Sequence, residues 1–113
     1  RKEKAKGSIH KIRQYIERHF RENINLNVIA QQYYMNPVYL GQLFKKTYGV
    51  YFNDFLLDLR IQEAKRLLRQ TDMRIYEIAA EVGFNNPEYF AAQFEKVVNM
   101  TPKEYRSALA SKV

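Results

Sequence analysis

The sequence predicts an all-α fold, and three observations predict it. Apolar residues recur at steps of three and four along most of the chain. No clear alternating run bounded by turn residues marks a strand. A unit of short helix, tight turn and second helix is also written twice, with a long helix between the copies. The expectation is two helix-turn-helix subdomains joined by a long linker helix, about seven helices in all.

Residues Arg1 to Gly7 (RKEKAKG) are polar, mostly charged and aperiodic, and read as a solvated linker or frayed start. Ser8 is a candidate N-cap. Ile9, Ile12, Ile16 and Phe20 then follow at helical spacing and predict a first helix from about Ile9 to Arg21. Asn25 can cap a short second helix carrying Leu26, Ile29, Ala30 and Tyr33. Asn36 can cap a third, with Pro37 at the first position, where its missing N–H is harmless. Leu40, Leu43 and Phe44 point that helix inward, and Gly49 is the expected left-handed residue past its end near Tyr48.

A long helix is expected over about Phe52 to Gln70. Leu57, Ile61, Ala64 and Leu68 form one stripe, Phe55 and Leu59 another, with Leu56 and Leu67 between. Apolar surface that wide predicts a helix packed on both sides. Ile75, Ile78 and Ala79 then mark a short helix ending at Gly83. Asn86 and Pro87 open the next, with Phe90, Phe94 and Val97 inward. Asn99 takes the place that Gly49 held, because Asn tolerates the left-handed conformation next best. Thr101-Pro102-Lys103-Glu104 is a capping box that starts a last helix through Tyr105 and Leu109. The resulting boundaries are a tail at 1–7, subdomains at 8–50 and 71–113, and a linker helix at 51–70.

With 113 residues, 46% of them apolar, the chain can bury a core. It contains no apolar run long enough to span a bilayer and no signal-peptide pattern. The absence of cysteine excludes disulfides and thiolate metal sites and fits a reducing, cytoplasmic setting. The formal charge of +7 and the pI near 9.7 point to a polyanionic partner.

The repeat sharpens that reading. Between Asn36–Phe55 and Asn86–Tyr105, five of twenty positions are identical (Asn, Pro, Tyr, Phe, Lys) and five more are similar. Chance would give about one identity. Upstream, Ile29-Ala30 matches Ile78-Ala79 at a shift one residue smaller, so the second turn is one residue longer. In a helix-turn-helix the second helix fits the major groove of B-DNA, and its N-terminal side chains reach base edges.

The stretch Ile75-x-x-Ile78-Ala79-x-x-x-Gly83-Phe84, followed by Tyr89-Phe90-x-x-x-Phe94-x-Lys96 and Thr101-Pro102-x-x-Tyr105-Arg106, resembles the signature of the AraC/XylS family of bacterial transcription regulators. Leu59-Arg60-Ile61-x-x-Ala64-x-x-Leu67-Leu68 is similar to the linker helix of that family. Asn99 departs from it, since the family usually has Gly there. The resemblance covers about Ile9 to Ala110. It implies double-stranded DNA as the partner, with two recognition helices in successive major grooves. It also implies an N-terminal sensing domain outside this chain, and leaves RNA polymerase open as a further partner. YLGQLFKKTYGV is most similar to the response-regulator branch, in which the sensing part is a phosphoacceptor receiver.

The base-reading positions that the resemblance implies in the first recognition helix are Val38, Gly41 and Gln42. Gln42 is the strongest candidate, because its amide can pair with adenine N6 and N7. Val38 suits a thymine methyl, and Gly41 allows close approach. In the second recognition helix the corresponding outward residues are Glu88, Ala91 and Ala92. The first helix carries Lys45 and Lys46, whereas the second carries Glu88 and Glu95 against Lys96 alone. Carboxylates are repelled by phosphates, so the first half is expected to supply more of the affinity.

Candidates for phosphate contact are Asn36, Lys45, Lys46, Asn86, Lys96, Thr101 and Lys103. Asn86 and Thr101 also read as caps alone. Lys96 and Arg106 read equally as phosphate contacts or surface pairs, and Arg60 as a backbone contact or, more readily, a brace. Tyr39 and Tyr89 read as core residues with their hydroxyls at the surface.

Two other function classes compete. Catalysis finds no support: His10 and His19 have no metal-like company, the Asp54/Asp58 pair reads as a solvated face, and no phosphate loop or nucleophile elbow occurs. No cofactor and no metal is expected. A basic helical protein-interaction module explains the charge and the helices, but not the preserved turn and cap.

Overall fold

A computed structural model describes residues 2–111, with side chains from Gly7 to Ala110. Those residues form seven α-helices and no strand: α1 (Lys2–His19), α2 (Leu26–Gln32), α3 (Pro37–Tyr48), α4 (Phe52–Gln70), α5 (Ile75–Glu81), α6 (Pro87–Val98) and α7 (Pro102–Ser111). The chain divides into two compact units, Arg1–Leu57 and Asp58–Val113, and the division falls inside α4.

In the first unit, α1 begins at Lys2, well before the expected start at Ile9. Lys, Glu and Ala of the supposed tail are strong helix formers and need no apolar period to extend an existing helix. Ser8 therefore lies within the helix and is not its cap. Arg1 lies outside the described residues. Ile9, Ile12 and Ile16 are buried on one stripe of α1, against Ile29, Ala30, Leu40, Leu43 and Phe44 from α2 and α3. Phe52 and Leu56, in the first turns of α4, complete this core.

The expected caps of α2 and α3 both form. The Asn25 side chain accepts from the Val28 N–H at 2.9 Å, and the Asn36 side chain from the Tyr39 N–H at 3.1 Å. Pro37 occupies the first position of α3, and Gly49 ends that helix at φ 76°. The Tyr48 hydroxyl, at the last residue of α3, meets His10 Nδ1 of α1 at 3.0 Å and pins the C-terminal end of α3.

The second unit repeats the plan. The Glu77 carboxylate accepts from the Arg74 N–H at 2.8 Å and starts α5. The Asn86 side chain accepts from the Tyr89 N–H at 2.8 Å, and Asn99 ends α6 at φ 63°. Thr101 and Glu104 form the reciprocal box at the start of α7, with bonds of 2.8 and 3.1 Å. Ile61, Ala64, Leu67 and Leu68 from α4 are buried with Ile78, Ala79, Val82, Phe84, Phe90 and Phe94. Phe84, Phe90, Phe94 and Tyr105 follow one another at 5.2, 5.8 and 5.6 Å between ring centroids, a spacing favourable for tilted aromatic pairs.

Val97 does not join this core. It is 41% exposed, because the inward stripe of α6 closes with Phe90 and Phe94 and the last turn runs past it. In α4, Phe55, Leu57 and Leu59 are half-buried, so the apolar residues of that helix are unequally covered.

Candidate nucleic-acid interface

The inward stripe of α3 leaves Val38, Gln42, Lys45 and Lys46 on its outer side, all exposed. Val38 is 69% exposed, so its methyl groups are open to a partner. A groove flanks each side of the helix. One is lined by Ile9, His10, Tyr39 and Thr47, the other by Leu26, Val38, Tyr51 and Asn53, and Gln42 and Lys46 border both. Gln42 and Lys46 therefore crown a ridge, with donors that can reach a partner from either side.

Gly41 lies differently from its sequence-based placement. It is half-buried, and a Cβ on it would stand 3.2 Å from Leu26 Cδ2. Its missing side chain thus lets α2 and α3 approach closely, which fixes the angle at which the ridge is presented. Ala91 is half-buried at the same step of α6.

Lys45 is held at home. Its Nζ donates to the Gly49 carbonyl at 2.9 Å and stands 4.6 Å from the Tyr51 ring centroid. It satisfies a carbonyl that the end of α3 leaves without an intrahelical donor. Lys46, one step further round, points outward.

On α6 the exposed outer residues are Glu88, Ala92, Glu95 and Lys96. The caps Asn36 and Asn86 each use the side-chain oxygen on their own helix, and Thr101 does the same in its box. The start of α7 leaves Lys103 exposed. The Glu104 carboxylate is held below its ordinary pKa by the N–H of Thr101 and then by that residue's side chain.

Three side chains settle differently from the sequence reading. Tyr39 and Tyr89 are exposed rather than part of the core, with Tyr89 at 58%. Each follows an Asn-Pro start by two positions, which turns the ring toward the edge of the helix. Arg106 is engaged with the backbone of its own unit, which neither sequence reading foresaw. Its guanidinium donates to the carbonyls of Met73, Thr71 and Leu68 at 2.7, 3.2 and 3.3 Å. Arg60 is a brace as expected, half-buried with its guanidinium carbon 5.6 Å from the Phe84 ring centroid. Burial lowers its pKa from the ordinary arginine value.

Sequence reasoning missed Tyr34, Tyr51 and the Arg106 clamp. The repeat held a signal for the first two, since it aligns Tyr34 with Gly83 and Tyr51 with Thr101. Nothing local announces a guanidinium that reaches carbonyls more than thirty positions away. Among the described residues no cluster of His, Asp or Glu could hold a metal, and no helix is long and apolar enough to cross a membrane.

The family profile described as "Helix-turn-helix domain" matches residues 29–108. The chain is 37% identical over 95 residues to an uncharacterized HTH-type transcriptional regulator, YijO, of Escherichia coli, covering 84% of this chain and 34% of that protein. The chain thus spans about a third of the length of that relative. The C-terminal domain of the two-component response regulator yesN from Fusobacterium nucleatum superposes with a TM-score of 0.85 at 37% identity, over 88% of this chain and 98% of that one. The DNA-binding domain of the global transcriptional factor AdpA, solved in complex with a target DNA, shares the fold with a TM-score of 0.87 at 23% identity, over 92% and 94% of the two chains.

Proposed function

Since the chain belongs to the AraC-type helix-turn-helix family, we propose that it is the sequence-specific double-stranded DNA-binding part of a bacterial transcription regulator. The observation that carries this reading is the repeated, capped helix with an exposed outer edge. Asn36-Pro37 and Asn86-Pro87 start α3 and α6 with the same side-chain cap, and each helix turns a row of side chains outward. An α-helix fills the major groove, and residues in its first turns reach the base edges.

In this reading the subdomains 8–50 and 71–113, joined by the linker helix 51–70, place α3 and α6 in successive major grooves. Val38 and Gln42 read bases from α3, and Glu88 and Ala92 from α6, with Gly41 and Ala91 setting the approach. Glu88 has a role on DNA as an acceptor for cytosine N4. Asn36, Lys46, Asn86, Lys96, Thr101 and Lys103 hold the backbone, supported by the charge of +7. An attached N-terminal receiver or other sensing domain would control the pairing of these domains on DNA. The likeness to a response-regulator C-terminal domain supports that part. The working compartment is then the cytoplasm, with RNA polymerase as a further partner, and the chain performs no catalysis.

Selection of binding sites from random duplexes, followed by a footprint, tests the proposal. The expected outcome is a preferred sequence bound about a thousandfold or more above random duplex. Affinity should also fall steeply with salt as phosphate neutralisation releases counterions. A chain that binds duplexes without preference, or not at all, is instead a basic protein-interaction module.

A further inference from the structure

The two helix-turn-helix turns are built on the same hydrogen bonds but differ in one residue. In the second, the Phe84 N–H donates to the Ala79 carbonyl at 2.9 Å, and Gly83 takes the left-handed conformation at φ 109°. In the first, the Met35 N–H donates to the Ala30 carbonyl at 2.8 Å, and the left-handed residue is Tyr34, at φ 57°. A side chain with a Cβ is strained there, and glycine is not. Asn99 shows the usual compromise at the end of α6, a small polar residue. The turn's hydrogen bonds stabilise that backbone, but Tyr34 is neither small nor packed: it is 98% exposed, so no packing of its ring offsets the strain.

A large ring kept at a strained position with no packing of its own points to an external partner for that ring. Three features identify the partner's chemistry. Tyr34 stands two residues before the cap Asn36 and four before Val38, at the end of α3 that carries the proposed base-reading edge. The chain is strongly basic, so its partner is anionic. A phenol hydroxyl is a good donor to a phosphate oxygen, and tyrosine is among the side chains that hold DNA backbones.

We infer that the Tyr34 hydroxyl donates to a backbone phosphate of the duplex entered by α3, and so fixes the depth and angle of that helix. This rests on the DNA-binding reading above and adds a positioning residue to it. Because phosphates carry no sequence information, the contact raises affinity for every duplex alike.

The test compares the wild-type chain with Tyr34→Phe, Tyr34→Gly and Gln42→Ala, on the selected duplex and on random duplex. Tyr34→Phe should leave the Tm unchanged and weaken both complexes by about three- to tenfold. Its salt dependence should match that of the wild type, because the phenol is neutral. Tyr34→Gly should raise the Tm while weakening DNA binding at least as much, opposite movements that a purely structural tyrosine would not produce. If both variants bind as tightly as wild type while Gln42→Ala alters base preference, the Tyr34 contact is overturned and the DNA reading stands. If the wild type binds no duplex, both fall.

Discussion

The Arg106 guanidinium donates to the Met73 carbonyl at 2.7 Å, which ties α7 to the segment between α4 and α5. Its other nitrogens reach the Thr71 and Leu68 carbonyls. Leu68 lies in the last turn of α4, where carbonyls lack intrahelical donors, so one cation satisfies three acceptors. Removing it by Arg106→Ala should destabilise the fold by about 2–3 kcal/mol. Arg106→Lys keeps the charge but loses the planar fork, and should recover only part of that. Urea unfolding of the three chains measures the series. Equal stability of the lysine variant and wild type would show that charge alone suffices.

The start of α7 predicts an acid limb. The Thr101 N–H and then its side chain hold the Glu104 carboxylate below its ordinary pKa of 4.5 in the folded chain. A folded-state pKa below the unfolded one stabilises the fold above about pH 4.5, and that contribution is lost as pH falls through the folded value. Glu104→Gln can still accept the Thr101 N–H but cannot titrate. The stability gap between wild type and this variant should therefore be constant at neutral pH and shrink below about pH 4.5. Thermal unfolding of both from pH 7 down to pH 3 checks it.

Much of this architecture was legible because its signals are local. Asn-Pro at a helix start, Gly or Asn past a helix end and a Thr-x-x-Glu box act within four residues, and the structure bears out each one named. The residues left unread answer to distance or to a neighbour. Arg106 acts over more than thirty positions. The resemblance puts Gly41 among the base-reading positions, yet Leu26 of the neighbouring helix stands over it. Residues 1–7 carry no apolar stripe and so read as a tail outside the first helix, although helix propensity extends α1 back to Lys2. Of the candidate site, sequence placed Val38 and Gln42 on the exposed edge, but could not separate Lys45 from Lys46.

Those two lysines should behave differently. Lys45 is engaged with the Gly49 carbonyl and the Tyr51 ring, and Lys46 faces outward. Lys46→Ala should weaken binding on every duplex and reduce the salt slope by about one. Lys45→Ala should cost about 0.5–1 kcal/mol of stability and change the salt slope less. Binding isotherms at several salt concentrations, together with unfolding curves, separate the two. Equal salt slopes for both variants would show that Lys45 leaves its latch on DNA.

The unequal charge of the two recognition helices sets the last expectation. The outer side of α3 carries Gln42 and Lys46, whereas that of α6 carries Glu88, Ala92 and Glu95 against Lys96 alone. Carboxylates near phosphates oppose binding unless a cytosine amino group meets them, so α3 should dominate affinity. Gln42→Ala removes an amide able to pair with adenine, and should cost about 1–3 kcal/mol on the preferred site while relaxing preference at one base pair. Ala92→Ser adds a small hydroxyl beside the proposed methyl contact and should cost less. Isotherms on duplexes substituted one base pair at a time give both numbers. If Ala92→Ser weakens binding and shifts base preference more than Gln42→Ala does, α6 is the principal reader, and its glutamates select cytosine rather than merely tolerating the groove.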